Sequence, residues 1–141
     1  MIGHGSHAGV FSADVVETSR RLLDSVCAQD VELAIAQLSS DARLESRGTA
    51  LIEGKPGIRR MLIRTLSLLE SIRFVPAAIW AKGNVAIVEA DVSCERLDGA
   101  SMHFPLTLVL ALRGSQVAVV RAFTYEPDCI RRFLSPLGRG E

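Results

Sequence analysis

Two carboxylates, Glu89 and Asp91, stand in the otherwise largely apolar run VAIVEADVSC (Val85 to Cys94), and their type and spacing invite chemistry. On a strand, a spacing of two puts both side chains on one face. Carboxylates crowded together in apolar surroundings keep a proton up to near neutral pH, as a general base or acid must. Asp91 is the candidate base, Glu89 a second acid or orienting group, and Arg121 a cation able to stabilise developing negative charge. Glu89 with Arg121 also reads as an ion pair of purely structural value.

The elements that would hold these groups follow from periodicity. SADVVETSRRLLDSVCAQ carries a Ser12 or Asp14 cap and an apolar stripe through Val15, Val16, Leu22, Leu23, Val26 and Cys27, which predicts a helix. Asp30 caps a short second helix, and a brief extended piece follows around ARLESRG. GKPGIRRMLIRTLSLLE opens with Pro56 near its first turn and spaces Ile58, Met61, Leu62, Thr65, Leu66 and Leu69 as a helix does. After Glu70 the period becomes two, with strands over about 71–81, 84–97, 100–112 and 116–126 joined by short turns at KGN, Asp98-Gly99 and Gly114-Ser115. Helices followed by a meander predict an α+β fold, with N-terminal helices packed on one face of a strongly curved antiparallel sheet around a pocket. One domain over 12–134 is expected, preceded by a flexible arm (1–11) that carries His4 and His7 and followed by a tail (135–141).

Two-residue turns at Asp98-Gly99 and Gly114-Ser115 would set Glu89 opposite Leu108, Asp91 opposite Leu106 and Leu108 opposite Arg121. One face then collects Glu89, Asp91, Phe104, Leu106, Leu108, Arg121, Phe123 and Tyr125, and the helices should cover it because its side chains are large. Glu89 and Arg121 would flank Leu108, roughly 9 to 10 Å apart at ~4.8 Å per strand. Tyr125, Phe104, Leu106, Leu108, Phe123 and Trp80 are the candidate ligand contacts. His103 would lie on the opposite face with Cys94, as a surface or interface histidine. That opposite face, with Val88, Ala90, Val92, Thr107, Val109, Val120 and Ala122, is small, β-branched and nearly uncharged, and a solvated face would not be. A homodimer packed sheet against sheet is therefore expected, one that Val109→Glu or Val120→Lys would break.

Composition excludes several classes. Lys plus Arg and Asp plus Glu are 16 each in 141 residues, so there is no field to draw a nucleic acid. Cys27, Cys94 and Cys129 are odd in number and lack a C-x-x-C spacing, which reads as free thiols in a reducing, cytoplasmic setting with neither a metal nor a cofactor. No stretch has the ~18 apolar residues that a membrane helix needs.

Over residues 12–134 the order of elements resembles the SnoaL-like, nuclear transport factor 2-like superfamily. The resemblance rests on SSDARLES after the helices, IEGKPGIRRML opening the long helix, ERLDGASMHFPLTLVLALRGSQVAVVRAF and the closing YEPD. It implies a cone that encloses a pocket, in a family of enzymes, ligand-binding modules and assembly factors. Ketosteroid isomerases of this fold use an Asp base, a Tyr and a neutral Asp, and the corresponding positions resemble Ser46, Leu22 and Leu108, so that set is absent. Limonene-type epoxide hydrolases use Arg-x-Asp and a second Asp. Here Asp91 matches the first Asp, while Glu89 stands at the Arg and Arg121 or Ala122 at the second Asp. Two readings result: an isomerase, cyclase or hydrolase that moves a proton on an apolar small molecule, or a non-catalytic ligand-binding or dimerisation module.

Overall fold

The computed structural model describes the backbone of residues 2–46 and 51–135, and the side chains from Asp14 onward apart from Ala77. Helix α1 is Ile2–Cys27 and α2 is Val31–Ala36. The stretch expected as an arm falls largely within the bounds of α1, and its side chains, His4 and His7 included, lie outside the described ones. Between the two helices Gln29 takes a positive φ of 57°, and its side-chain amide donates to the carbonyls of Leu66 and Leu69 at 3.2 and 3.1 Å. The turn after α1 is thereby tied to the Leu66–Leu69 stretch. Asp30 caps α2 as expected, its carboxylate accepting from the N–H of Leu33 at 3.1 Å.

Strands β1 (Leu38–Ser46) and β2 (Ile52–Glu53) precede α3 (Lys55–Leu66), which has Pro56 in its first turn and buries Ile58 and Leu66. Strands β3 (Leu69–Lys82), β4 (Val85–Arg96), β5 (Ser101–Arg113) and β6 (Gln116–Phe123) follow, and α4 (Pro127–Phe133) closes the described chain. The sheet order is β2-β1-β6-β5-β4-β3. Helices on a six-stranded sheet confirm the α+β architecture, with one correction: β1 runs parallel to β6, so the sheet is mixed rather than wholly antiparallel. It is also open, since β2 and β3 form its two ends and do not pair.

The register departs from the sequence expectation at two points, and both decide which face each residue occupies. Arg96 rather than Leu97 stands opposite Ala100, so the β4–β5 turn is a three-residue loop, Leu97-Asp98-Gly99, with Gly99 at φ 92°. Asp98 stabilises this loop by accepting from the Ala100 N–H and from the Arg96 guanidinium. Glu89 therefore faces Thr107 and Asp91 faces Pro105, a shift of one residue that turns every β4 side chain over relative to β5. The β5–β6 turn is the expected two-residue one, with Arg113 opposite Gln116, but a bulge between Ala111 and Leu112 moves the register so that Val109 faces Arg121.

The helices consequently cover Ala86, Val88, Ala90 and Val92 on β4 together with Leu108 and Leu110 on β5, all buried. Val120 and Ala122 pack against the same cluster. The face expected for the dimer is thus divided. Val88, Ala90, Val92, Val120 and Ala122 belong to the helix-covered core, and only Thr107 and Val109 lie on the uncovered face. Val120→Lys would place a charge against the chain's own core. A second cluster, Leu66, Leu69, Ile72, Val92 and Cys94, is capped by Phe133 and Leu134 near the end of α4. Burial there pushes the Cys94 thiol up to about 11.

Arg96 joins the β4–β5 loop to α4. Its guanidinium lies 4.8 Å from the centre of the Phe133 ring, donates to the Phe133 carbonyl at 3.1 Å and pairs with Asp98 at 2.7 Å. The hydrogen bond from Arg96 holds the Asp98 carboxyl below its ordinary value of 3.8. A depressed folded-state value gives stability that is complete above the unfolded value and is lost as pH falls through the folded one. Thermal unfolding below pH ~4 should therefore show a smaller acid-dependent fall for Asp98→Asn than for the parent chain. Equal slopes would remove the loop's role. Because the pair is exposed, salt should reduce the difference.

Candidate functional site

The face that the helices leave open carries the odd-numbered residues of β4 and β5 and, beyond the bulge, Arg121 and Phe123 of β6. Its cross-strand rows run Trp80-Ile87-Val109-Arg121-Glu45, then Ala78-Glu89-Thr107-Phe123, then Val75-Asp91-Pro105. Pro105 has no N–H to offer a neighbour, and the pairing of β6 with β5 stops one row earlier, at Thr107 opposite Phe123. Where β6 ends the sheet leaves a hollow of about 360 Å³, lined by Glu89, Asp91, Pro105, Thr107, Phe123, Thr124 and Tyr125 among others. Glu89, Asp91, Phe123 and Tyr125 thus meet, as read from the sequence, but on the side away from the helices.

Asp91 Oδ1 lies 3.7 Å from His103 Nε2, and His103 Nδ1 lies 3.2 Å from Ser93 Oγ. With its proton on Nε2 toward Asp91, the imidazole accepts from the Ser93 hydroxyl through Nδ1. His103 had been assigned to the opposite face, and the one-residue shift of the β4–β5 register brings it beside Asp91. The side chains of His103 and Asp91 are 66% and 56% exposed, so water reaches both. Sequence reading also missed Ser93, Thr107 and Thr124. The signal that would have found them is Leu97-Asp98-Gly99, which suits a three-residue loop with glycine in the left-handed position as well as Asp98-Gly99 suits a two-residue one.

The expected Glu89–Arg121 pair is not formed. Arg121 Nε bonds Glu45 Oε1 at 2.9 Å, and Glu45 also takes Arg43 at 3.1 Å. β1 lies directly beside β6, so Glu45 is next to Arg121, whereas Glu89 is two strands away and one row off. Arg121 lines a neighbouring hollow of about 260 Å³ with Glu45, Ser46, Ala122 and Phe123. Of the other candidate ligand contacts, Leu108 is buried and Phe104 partly so, both against the helix-side clusters. Leu106 packs there too, although it reaches the rim of the hollow beside β6. Trp80 lies on the open face, 54% exposed, but is not part of either hollow.

Between the helices and the sheet the chemistry is sparse. The buried polar residues among those described are Thr18, Ser19, Ser25 and Ser39. All four are bonded close by: Thr18 accepts from the Arg21 guanidinium, Ser19 donates to the Val15 carbonyl, Ser25 to that of Arg21 and Ser39 to Asp41. No Asp, Glu, His, Lys, Arg or Tyr among the described residues is buried there. No described group of three or more His, Cys, Asp or Glu is placed to hold a metal, and no described helix is long and apolar enough to cross a membrane.

The pattern of the SnoaL-like domain matches residues 19–120. No match was found among curated proteins. Many solved structures share the fold. An LEH-like epoxide hydrolase of M. tuberculosis is 16% identical over 85% of this chain and 89% of its own, with a TM-score of 0.76. A candidate SnoaL-like polyketide cyclase from Jannaschia sp. is 18% identical over 89% and 95%, with a TM-score of 0.76. A nuclear transport factor 2-like protein of unknown function from Burkholderia pseudomallei is 15% identical over 84% and 95%, with a TM-score of 0.73.

Proposed function

The chain belongs to the SnoaL-like domain family, and from that premise we propose that it binds a small molecule in the hollow beside β6 and does not carry out acid–base chemistry inside the cone. The observation that carries this is the distribution of ionisable groups: none of the described Asp, Glu, His, Lys, Arg or Tyr is buried between helices and sheet, while two carboxylates line the hollow outside it. Phe123 and Pro105 offer an apolar floor, and Glu89, Asp91, Thr107, Thr124 and Tyr125 offer acceptors and hydroxyls around it. A ring or chain with amine or hydroxyl donors at its edge fits that set, because carboxylates pair with donors or cations.

The contact of Asp91 with His103 supports a second reading, in which the same ligand exchanges a proton with this pair, as the cyclases and hydrolases of similar fold suggest. Thermal-shift screening of aromatic amines and polyhydroxylated aromatics, followed by product analysis of any binder, separates the two. A ligand at 100 times its Kd should add about 2.7 kcal/mol of stability. Glu89→Gln and Asp91→Asn should each weaken binding about tenfold, and, both side chains being exposed, leave the ligand-free melting temperature nearly unchanged. Product formation lost in Asp91→Asn and His103→Gln would establish the second reading. Binding untouched by both carboxylate variants would eliminate the site.

A further inference from the structure

A further hollow, of about 370 Å³, lies toward the β4–β5 loop and shares no lining residue with the one beside β6. It is built on two adjacent cross-strand rows of β3, β4 and β5, namely Arg73-Ser93-His103 and Ser71-Glu95-Ser101. All six residues line it, and alternation puts all six on the open side. Its other lining residues, Cys94 and Met102, alternate to the helix-covered side, where Cys94 is buried. The hollow therefore lacks the apolar floor that Phe123 and Pro105 give the other. Its polar groups are also largely unspent. Ser93 bonds His103, which leans toward Asp91, but the side chains of Ser71, Arg73, Glu95 and Ser101 make no hydrogen bond or ion pair with a described residue. Arg73 and Glu95 are diagonal neighbours on β3 and β4, and each keeps its charge free for something else.

We propose that this hollow binds a small hydroxylated carboxylate, of the size and chemistry of a sugar acid. The planar fork of Arg73 matches one carboxylate through two parallel hydrogen bonds. Ser71 and Ser101 can donate to or accept from ligand hydroxyls, and Glu95 can only accept from them. A group of higher negative charge would meet Glu95 in the same hollow and Asp91 one row away, so a monoanion fits better than a dianion. Three strands and two rows give a footprint of about 10 by 7 Å, the span of a single sugar ring. The inference is independent of the ligand proposed beside β6, where the carboxylates select donors rather than an anion.

D-glucuronate is the probe. Titrated into the protein, it should give saturable binding by calorimetry, with amide chemical-shift changes centred on Ser71, Arg73, Ser93, Glu95 and Ser101. D-glucose, acetate and inorganic phosphate each lack part of the match and should bind about tenfold more weakly or worse. Arg73→Gln should weaken glucuronate about tenfold, and Arg73→Lys by less, since lysine keeps the charge without the fork. Arg73 is exposed, so both variants should keep the far-UV circular dichroism of the parent and its binding of aromatic amines beside β6. No saturation at millimolar glucuronate would overturn the proposal. So would undiminished binding in Arg73→Gln, equal binding of acetate or phosphate, which would mean a bare anion site, or shifts centred instead on Phe123 and Tyr125.

Discussion

Val88→Asp is expected to leave the chain unfolded at room temperature, while Ile87→Asp, one residue away, is expected to keep the fold. Val88 is fully buried, opposite Leu108 on β5 and Ile79 on β3, within the cluster that α1 and α2 complete. Truncating it loses about 2 kcal/mol of apolar burial, and an unpaired carboxylate in the same place costs several kcal/mol more. Their sum consumes most or all of a typical domain stability of about 5–15 kcal/mol. Ile87 projects from the other face and is 39% exposed, so its aspartate stays hydrated. Circular dichroism with urea titration of both variants checks the pair. The register inferred from a two-residue turn predicts the reverse order, so a stable Val88→Asp protein with an unfolded Ile87→Asp protein would refute the observed face assignment.

Leu110→Ala is expected to cost about 3 kcal/mol, the usual range for a leucine whose cavity cannot collapse. Leu110 is fully buried in the C-terminal half of β5, opposite Ala86 on one side and Val120 on the other. Alanine already occupies position 86, so no large neighbour there can move in to fill the space. In a domain of this size the loss should lower the melting temperature by about 10 °C. The neighbouring Val109→Ala removes side chain from the open face and should cost the protomer under about 1 kcal/mol. A urea midpoint that falls for Leu110→Ala with an unchanged m-value would identify pure loss of packing. Equal costs for the two variants would mean that both faces of β5 are covered.

The element sequence was legible because it depends on local periodicity. The stripe from Val15 to Val26, the Asp30 cap and Pro56 at the start of α3 each act within a few residues and appear where expected, while α3 ends at Leu66 and β3 begins at Leu69, before the expected change of period after Glu70. The short β2, the parallel pairing of β1 with β6 and helix α4 were not legible. β2 is two residues long, and the β1–β6 pair joins segments some 76 positions apart, as Glu45 and Arg121 are. Nothing local distinguishes a parallel partner from an antiparallel one.

The site divides in the same way. From the sequence alone, Glu89 and Asp91 had to share a face, since a strand alternates strictly, whereas β6 ends at Phe123 and leaves Tyr125 beyond the expected alternation. Which face that was, and who else stood on it, depended on a single residue in the Leu97-Asp98-Gly99 loop and a single bulge beside Ala111. Each moves a whole strand by half a period. Together they carried Glu89, Asp91, Arg121 and Phe123 to the open side, exchanged Arg121's expected partner Glu89 for Glu45, and set His103 beside Asp91. Alternation is a property of one strand, whereas facing is a property of two strands and the turn between them, so only the folded sheet could decide it.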